Sequence, residues 1–138
     1  QELAQEISAG LVLVDGPPGI GCPVIASVAE ADLVLAVTEP TVSGAHDLSR
    51  AADMVRGFGI PLAVCINKVD LNPDMAETIR EVCAERGFPV VGELSYDTTV
   101  VRAQVQGRSI VEYGGSVVAD QIRDMWKTLE SLLMKVEE

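Results

Sequence analysis

The chain has 138 residues, with 10 Lys+Arg against 21 Asp+Glu and a formal net charge of −11, His46 being the lone histidine. A chain of this length buries enough surface to hold one core without a disulfide or metal staple, and we expect a single domain over 1–138. The acid excess argues against nucleic acid or an anionic membrane as a bulk partner, and 48% apolar residues exclude a disordered tail.

No apolar run approaches the ~20 residues that span a bilayer. The longest candidate, Ile25 to Val37, is cut by Glu30 and Asp32, so no integral membrane segment is expected. Gln1 to Gly10 carries two glutamates, no Lys or Arg and no apolar h-region, which gives no signal peptide and a cytoplasmic expectation. Leu3 and Ile7 look like the last turns of a helix. Cys22, Cys65 and Cys83 have no CxxC spacing and are read as reduced thiols, ligating neither zinc nor an iron–sulfur cluster.

In chain order, Leu11 to Val14 is a short apolar run ending at Asp15-Gly16-Pro17-Pro18-Gly19, and Leu33 to Val37 repeats the pattern before Thr38-Glu39-Pro40. Both read as buried parallel strands. Leu62 to Ile66, ending at Asn67-Lys68, is a third, and Val90 to Leu94 a fourth. Between them the period becomes helical. Leu48, Ala51, Ala52 and Val55 share a face after a Ser43 cap, closed by Gly57 and Gly59. Met75, Ile79, Val82 and Cys83 share another, with Asn72 as N-cap, Pro73 at the first position and Gly87 as stop. A shorter helix is expected from Asp97 to Gln106. Tyr113-Gly114-Gly115 then reads as a linker into a long amphipathic helix marked by Val118, Ile122, Met125, Leu129, Leu132, Leu133 and Val136.

Strands alternating with helices imply right-handed crossovers and an α/β fold, a three-layer α/β/α arrangement around a mainly parallel sheet. Ligands of such sheets sit at the carboxyl ends of the strands. Four clusters are expected on that rim: Asp15 to Gly19, Thr38-Glu39-Pro40, Asn67-Lys68-Val69-Asp70 and Ser95-Tyr96-Asp97.

An aspartate directly after four apolar residues can hold a magnesium ion's water shell beside a nucleotide phosphate, a Walker B pattern; it also suits an Asp-Gly turn. The loop Gly16-Pro17-Pro18-Gly19 suits a switch whose glycine amide meets a γ-phosphate, or an ordinary proline-rich turn. The spacing N-K-x-D lets Asn67 reach a purine edge, the Lys68 stem lie over the ring, and Asp70 accept from exocyclic donors. Its three residue types are equally common in plain loops.

With D-G-P-P-G-I-G-C-P, T-E-P-T-x-S-G and N-K-x-D on the page, the chain resembles, from Leu11 to about Tyr113, the second half of MinD/ParA/Mrp-type P-loop ATPases. The likeness is nearest to members with an inserted ferredoxin domain, of the cobyrinic acid a,c-diamide synthase-like or CobQ/CobB/MinD/ParA nucleotide-binding type. It implies a SIMIBI-like P-loop NTPase half-domain that binds ATP and Mg2+. Asp15 would serve the metal and, with Gly19 near the γ-phosphate, carry catalysis. Gly16 and Pro18 would take part in binding the nucleotide; Asn67, Lys68 and Asp70 would meet adenine, bordered by Tyr96 and Asp97. The resemblance further implies a homodimer sandwiching ATP, and an iron–sulfur or redox partner whose cluster-binding cysteines would precede Gln1.

The sequence departs from that pattern in two places. Ser95-Tyr96-Asp97 stands where the family usually has Pro-Tyr-Asp, and no K-G-G-x-G-K-[ST] loop occurs in the 138 residues. Without such a loop to cradle the triphosphate, these residues are not expected to hydrolyse ATP alone. Three other readings stand beside this one. N-K-x-D is also a guanine signature, but Asp15 to Gly19 has the D-x-x-x-G spacing of the ATPase branch. A non-catalytic α/β binding or dimerisation module would leave Asp15 and Asn67 unexplained. A corrinoid a,c-diamide synthase-type ligase shares the domain, yet nothing here resembles a glutaminase Cys-His pair: Cys22 beside Pro23 suits packing, and His46 suits an exposed first helical turn.

Overall fold

The computed structural model describes residues 10–17 and 21–136. The expected helical turns at Leu3 and Ile7 lie outside them. In chain order the elements are α1 (Cys22–Val28), β1 (Val34–Thr38), α2 (Val42–Gly57), β2 (Leu62–Asn67), α3 (Pro73–Arg86), β3 (Val90–Leu94), α4 (Thr99–Val105), α5 (Ile110–Tyr113) and α6 (Val117–Val136).

The strands form one parallel sheet in the order β1-β2-β3, with Val34 opposite Leu62 and Asn67 opposite Leu94. Central β2 is buried along Leu62 to Ile66 because both of its faces are covered, which is why it reads as an unbroken apolar run. On one face Val64 and Ile66 pack with Leu48 of α2 and with Ile79 and Cys83 of α3. On the other, Ala63 and Val91 pack with Leu129 of α6, flanked by Met125 and Leu132. Helices therefore cover both faces, as the α/β/α reading expects. Each buried Val or Ile contributes roughly 1.5–3 kcal/mol by leaving water.

Glycine permits one close approach in this core. A Cβ on Gly92 of β3 would fall 2.6 Å from the Met125 sulfur and 3.0 Å from its Cβ. The bare backbone lets α6 settle on the strand.

Helix ends follow local chemistry. Asn72 accepts from the Met75 N–H at 3.1 Å with Pro73 behind it, and Gly87 ends α3 in the left-handed region at φ 74°. The cap of α2 is Thr41, which accepts from the Gly44 N–H at 2.9 Å, and not Ser43 as expected: Ser43 is already inside the first turn and its hydroxyl only meets that of Thr41. Tyr113 ends a short helix that a Ser109–Glu112 capping box begins, so the linker is confined to Gly114 and Gly115 ahead of Ser116. The helix expected from Asp97 to Gln106 occupies Thr99–Val105, and Asp97 holds the turn before it. Helix α1 was not expected from the sequence. Its Val28 packs with Ala52, Val55 and Leu62.

One expected strand is corrected. Leu11 to Val14 forms no strand and is not buried; the four residues are 49%, 48%, 82% and 60% exposed. A strand is a ladder and needs a neighbour. Among the described residues the ladder closes with three strands, and β1 pairs only with β2. The four-strand expectation thus becomes three, and Asp15 does not stand at a strand end.

Candidate functional site

The carboxyl ends of β1, β2 and β3 carry Glu39, Asn67-Lys68-Val69-Asp70 and Ser95-Tyr96-Asp97, and bonds between the loops tie these segments into one rim. Lys68 Nζ donates to Glu39 Oε1 at 2.6 Å, linking the β2 loop to the β1 loop. On the other side the Val69 N–H donates to the Leu94 carbonyl at 2.9 Å, and the Tyr96 N–H donates to Asp70 Oδ1 at 2.7 Å. The N-K-x-D turn is therefore held from both flanks.

Two features fix the conformation of that turn. Lys68 sits at φ +56°, the one non-glycine residue with positive φ among those described. Such a conformation costs about 1–2 kcal/mol and is kept where the surroundings over-determine it. Glu39 is fixed by its own backbone: a Cβ on Gly44 would lie 2.3 Å from the Glu39 carbonyl oxygen, so only glycine lets the first turn of α2 seat there.

The third loop is anchored from below. Asp97 Oδ1 accepts from the Thr99 N–H at 2.7 Å, and its Oδ2 accepts from the buried Ser116 hydroxyl at 2.7 Å. Hydrogen bonds from Thr99 first, then Ser116, hold the Asp97 carboxyl below the usual aspartate range. Gln121 of α6 accepts from the Ser95 N–H at 3.0 Å and donates to its hydroxyl at 3.1 Å. Behind the rim, Arg80 of α3 grips Glu93 of β3 with two bonds of 2.7 and 3.0 Å, which lowers the Glu93 pKa.

Asn67 is half-buried at the end of the central strand, and its carboxamide makes no hydrogen bond to the described residues. It thus presents two donors and an acceptor to the rim. Asp70 keeps Oδ2 without a described partner, and Tyr96 is 49% exposed. Among the described residues the rim thus gathers an unpaired carboxamide, a free carboxylate oxygen, a lysine and an exposed tyrosine within two consecutive loops.

The remaining expected residues are placed differently. Asp15 and Gly16 lie in the exposed, irregular segment before α1, where a Cβ on Gly16 would come 3.9 Å from Ser27 Cβ. Pro18 and Gly19 lie outside the described residues, as does the side chain of Cys22. Among the described residues no three His, Cys, Asp or Glu side chains converge on a metal position. Asp15 is a single exposed carboxylate, which does not make a magnesium site by itself. His46 is exposed at 69% of its side chain, 3.8 Å from Asp47. Cys65 and Cys83 are buried and unpaired; burial, with Glu93 nearby, pushes the Cys65 thiol up to about 11. No described helix is long and apolar enough to cross a membrane.

Glu39 stands on the rim as its place after a parallel strand leads one to expect, but its pairing with Lys68 was not foreseen, and nothing in the sequence signals that Ser116 and Gln121 belong to this rim. Gln121 reaches the rim from α6 and Ser116 from the residue just before it, and the docking of α6 on β3 is set by long-range packing.

No protein-family profile matches the chain. It is 29% identical over 113 residues to a protein named as the putative septum site-determining protein MinD of Chlorella vulgaris, covering 78% of this chain and 39% of that one. The fold is similar to that of the MinD cell division protein of Aquifex aeolicus, at a TM-score of 0.80 and 20% identity over 94% of this chain and 57% of that one. The septum site-determining protein MinD of Pyrococcus horikoshii, solved in complex with Mg-ADP, matches at a TM-score of 0.77 and 16% identity over 95% and 55%. The chain spans less than half the length of the curated relatives it matches.

Proposed function

The chain is a relative of the MinD/ParA P-loop ATPases, matching the C-terminal part of such proteins, and from that premise we propose that it is the base-binding half of an ATP-binding domain. The observation that carries this reading is the Asn67 carboxamide, without a partner among the described residues at the end of a strand, inside a turn braced on both sides. Asn67 pairs with the adenine edge, the Lys68 stem and Tyr96 ring flank it, and Asp70 Oδ2 accepts an exocyclic amine. Asp97 acts on the loop, since both of its oxygens are engaged within the protein. The Pyrococcus horikoshii relative carries Mg-ADP, which supports a nucleotide with magnesium as the ligand pair.

In the same reading, ATP-bound subunits of a protein that also supplies a phosphate loop pair in the cytoplasm, Gly19 senses the γ-phosphate, hydrolysis releases the switch, and the cycle is coupled to an iron–sulfur or redox partner; Asp15 would serve a magnesium shell there only together with groups from that loop. These 138 residues contain no phosphate loop, so alone they bind a base weakly and do not turn over ATP. Titrating the 15N-labelled chain with adenosine and guanosine tests the reading. Adenosine should shift the amides of Asn67 to Asp70 and of Tyr96, and Asn67→Ala should weaken that response about 5–100-fold. A guanosine response stronger by tenfold would overturn the adenine assignment.

A further inference from the structure

Glu39 lies on the expected rim but has no task in the base-binding reading, yet among the described residues it makes the one side-chain bond that ties the β1 loop to the N-K-x-D turn. Its backbone is set by the close seat of Gly44 and by the Thr41 N–H, which donates to the Glu39 carbonyl at 2.8 Å. Pro40 behind it is buried. The carboxylate therefore leaves a fixed point. Its partner leaves an equally constrained one, because Lys68 is held at φ +56° between the Glu39 contact and the Val69–Leu94 and Asp70–Tyr96 bonds.

We propose that Glu39 is a positioning residue that claims the Lys68 ammonium, so that Lys68 meets a bound base through its aliphatic stem and not a phosphate through its charge. The inference rests on the base-binding reading above. Lysine covers apolar surface with its four methylenes while its ammonium seeks a polar partner. With Nζ already 2.6 Å from a carboxylate, the charge at the rim is locally neutralised. A nucleotide then finds a base platform here and must look elsewhere for its phosphate cations.

The consequence is a specific pattern of binding to adenosine and ADP, measured on the 138-residue chain by NMR titration at two salt concentrations. In the wild-type chain the two ligands should bind with similar affinity and little salt dependence. Glu39→Gln should weaken adenosine at least threefold by loosening the stem, and should raise the ADP-to-adenosine affinity ratio with a steeper salt dependence as the ammonium is released. Lys68→Ala should weaken adenosine at least fivefold more than Lys68→Met, which keeps a stem of similar length. A merely structural Glu39 would lower both affinities together and leave their ratio and salt slope alone. That result, or Lys68→Met and Lys68→Ala losing equally, overturns the inference while leaving the base-binding reading intact. No adenosine response in the wild-type chain overturns the base-binding reading, and the inference with it.

Discussion

The Asp70 carboxylate accepts a 2.7 Å hydrogen bond from the Tyr96 backbone N–H, across 26 positions of sequence. That bond makes the N-K-x-D turn and the Ser95-Tyr96-Asp97 loop one unit. Removing it should separate two effects. Asp70→Ala should cost about 1 kcal/mol of stability, a charged hydrogen bond discounted for its exposed position, and should broaden the Tyr96 and Asp97 amide signals. A urea midpoint within error of wild type, with those signals unchanged, would show that the loop is held by Gln121 and Ser116 alone.

Gly44→Ala should be among the more damaging single substitutions. The added Cβ would meet the Glu39 carbonyl at 2.3 Å, the Thr38 hydroxyl at 2.9 Å and the Thr41 hydroxyl at 3.0 Å. Backbone has to move, at about 1–3 kcal/mol. Chemical denaturation checks the loss, and Gly57→Ala, where nothing lies within 4 Å, is the matched control expected to be neutral or slightly stabilising.

Acid should unfold the protein partly through Asp97 and Glu93. Both are held below their ordinary values, Asp97 by hydrogen bonds from Thr99 and Ser116 and Glu93 by the Arg80 guanidinium. A depressed folded pKa means that the unfolded chain binds the proton first. The stability they contribute is therefore present above the ordinary carboxylate range and is lost as pH falls through and below about 4.5. Urea midpoints taken from pH 6 down to pH 3 should fall in the wild-type chain, and less steeply in Glu93→Gln.

Cys65 and Cys83 should resist alkylation until the chain unfolds. Both are buried, and desolvation raises each thiol pKa, that of Cys65 to about 11, so almost no thiolate exists near neutrality. Iodoacetamide labelling followed by peptide mass mapping should find both unmodified in buffer and both modified in denaturant. Fast labelling of Cys65 in buffer would mean that β2 opens readily.

Leu13→Ser should change stability by less than about 0.5 kcal/mol, as for a surface substitution. At 82% exposure Leu13 buries too little to lose more. A buried strand would instead lose about 2–5 kcal/mol on truncation of a core leucine, so one denaturation curve separates the two placements of Leu11 to Val14.

The periodicity of the chain by itself determined three parallel strands, the helices between them and their stops. Those signals are local: an apolar run bounded by turn residues at Leu62 to Asn67, an Asn-Pro entry at Asn72 and Pro73, a left-handed glycine at Gly87. The rim followed, because parallel strands joined by right-handed crossovers put all their carboxyl ends on one side. What only the tertiary structure decided was which apolar run finds a partner. Leu11 to Val14 has the composition of a buried strand, but backbone pairing needs a neighbouring edge, and no property of four residues supplies one. Tertiary structure also chose Glu39 as the partner of Lys68 and Ser116 as the partner of Asp97, at separations of 29 and 19 residues. Side-chain pairing over such distances depends on how the strands register and how α6 settles against Gly92, which is a matter of packing volume that no local pattern encodes.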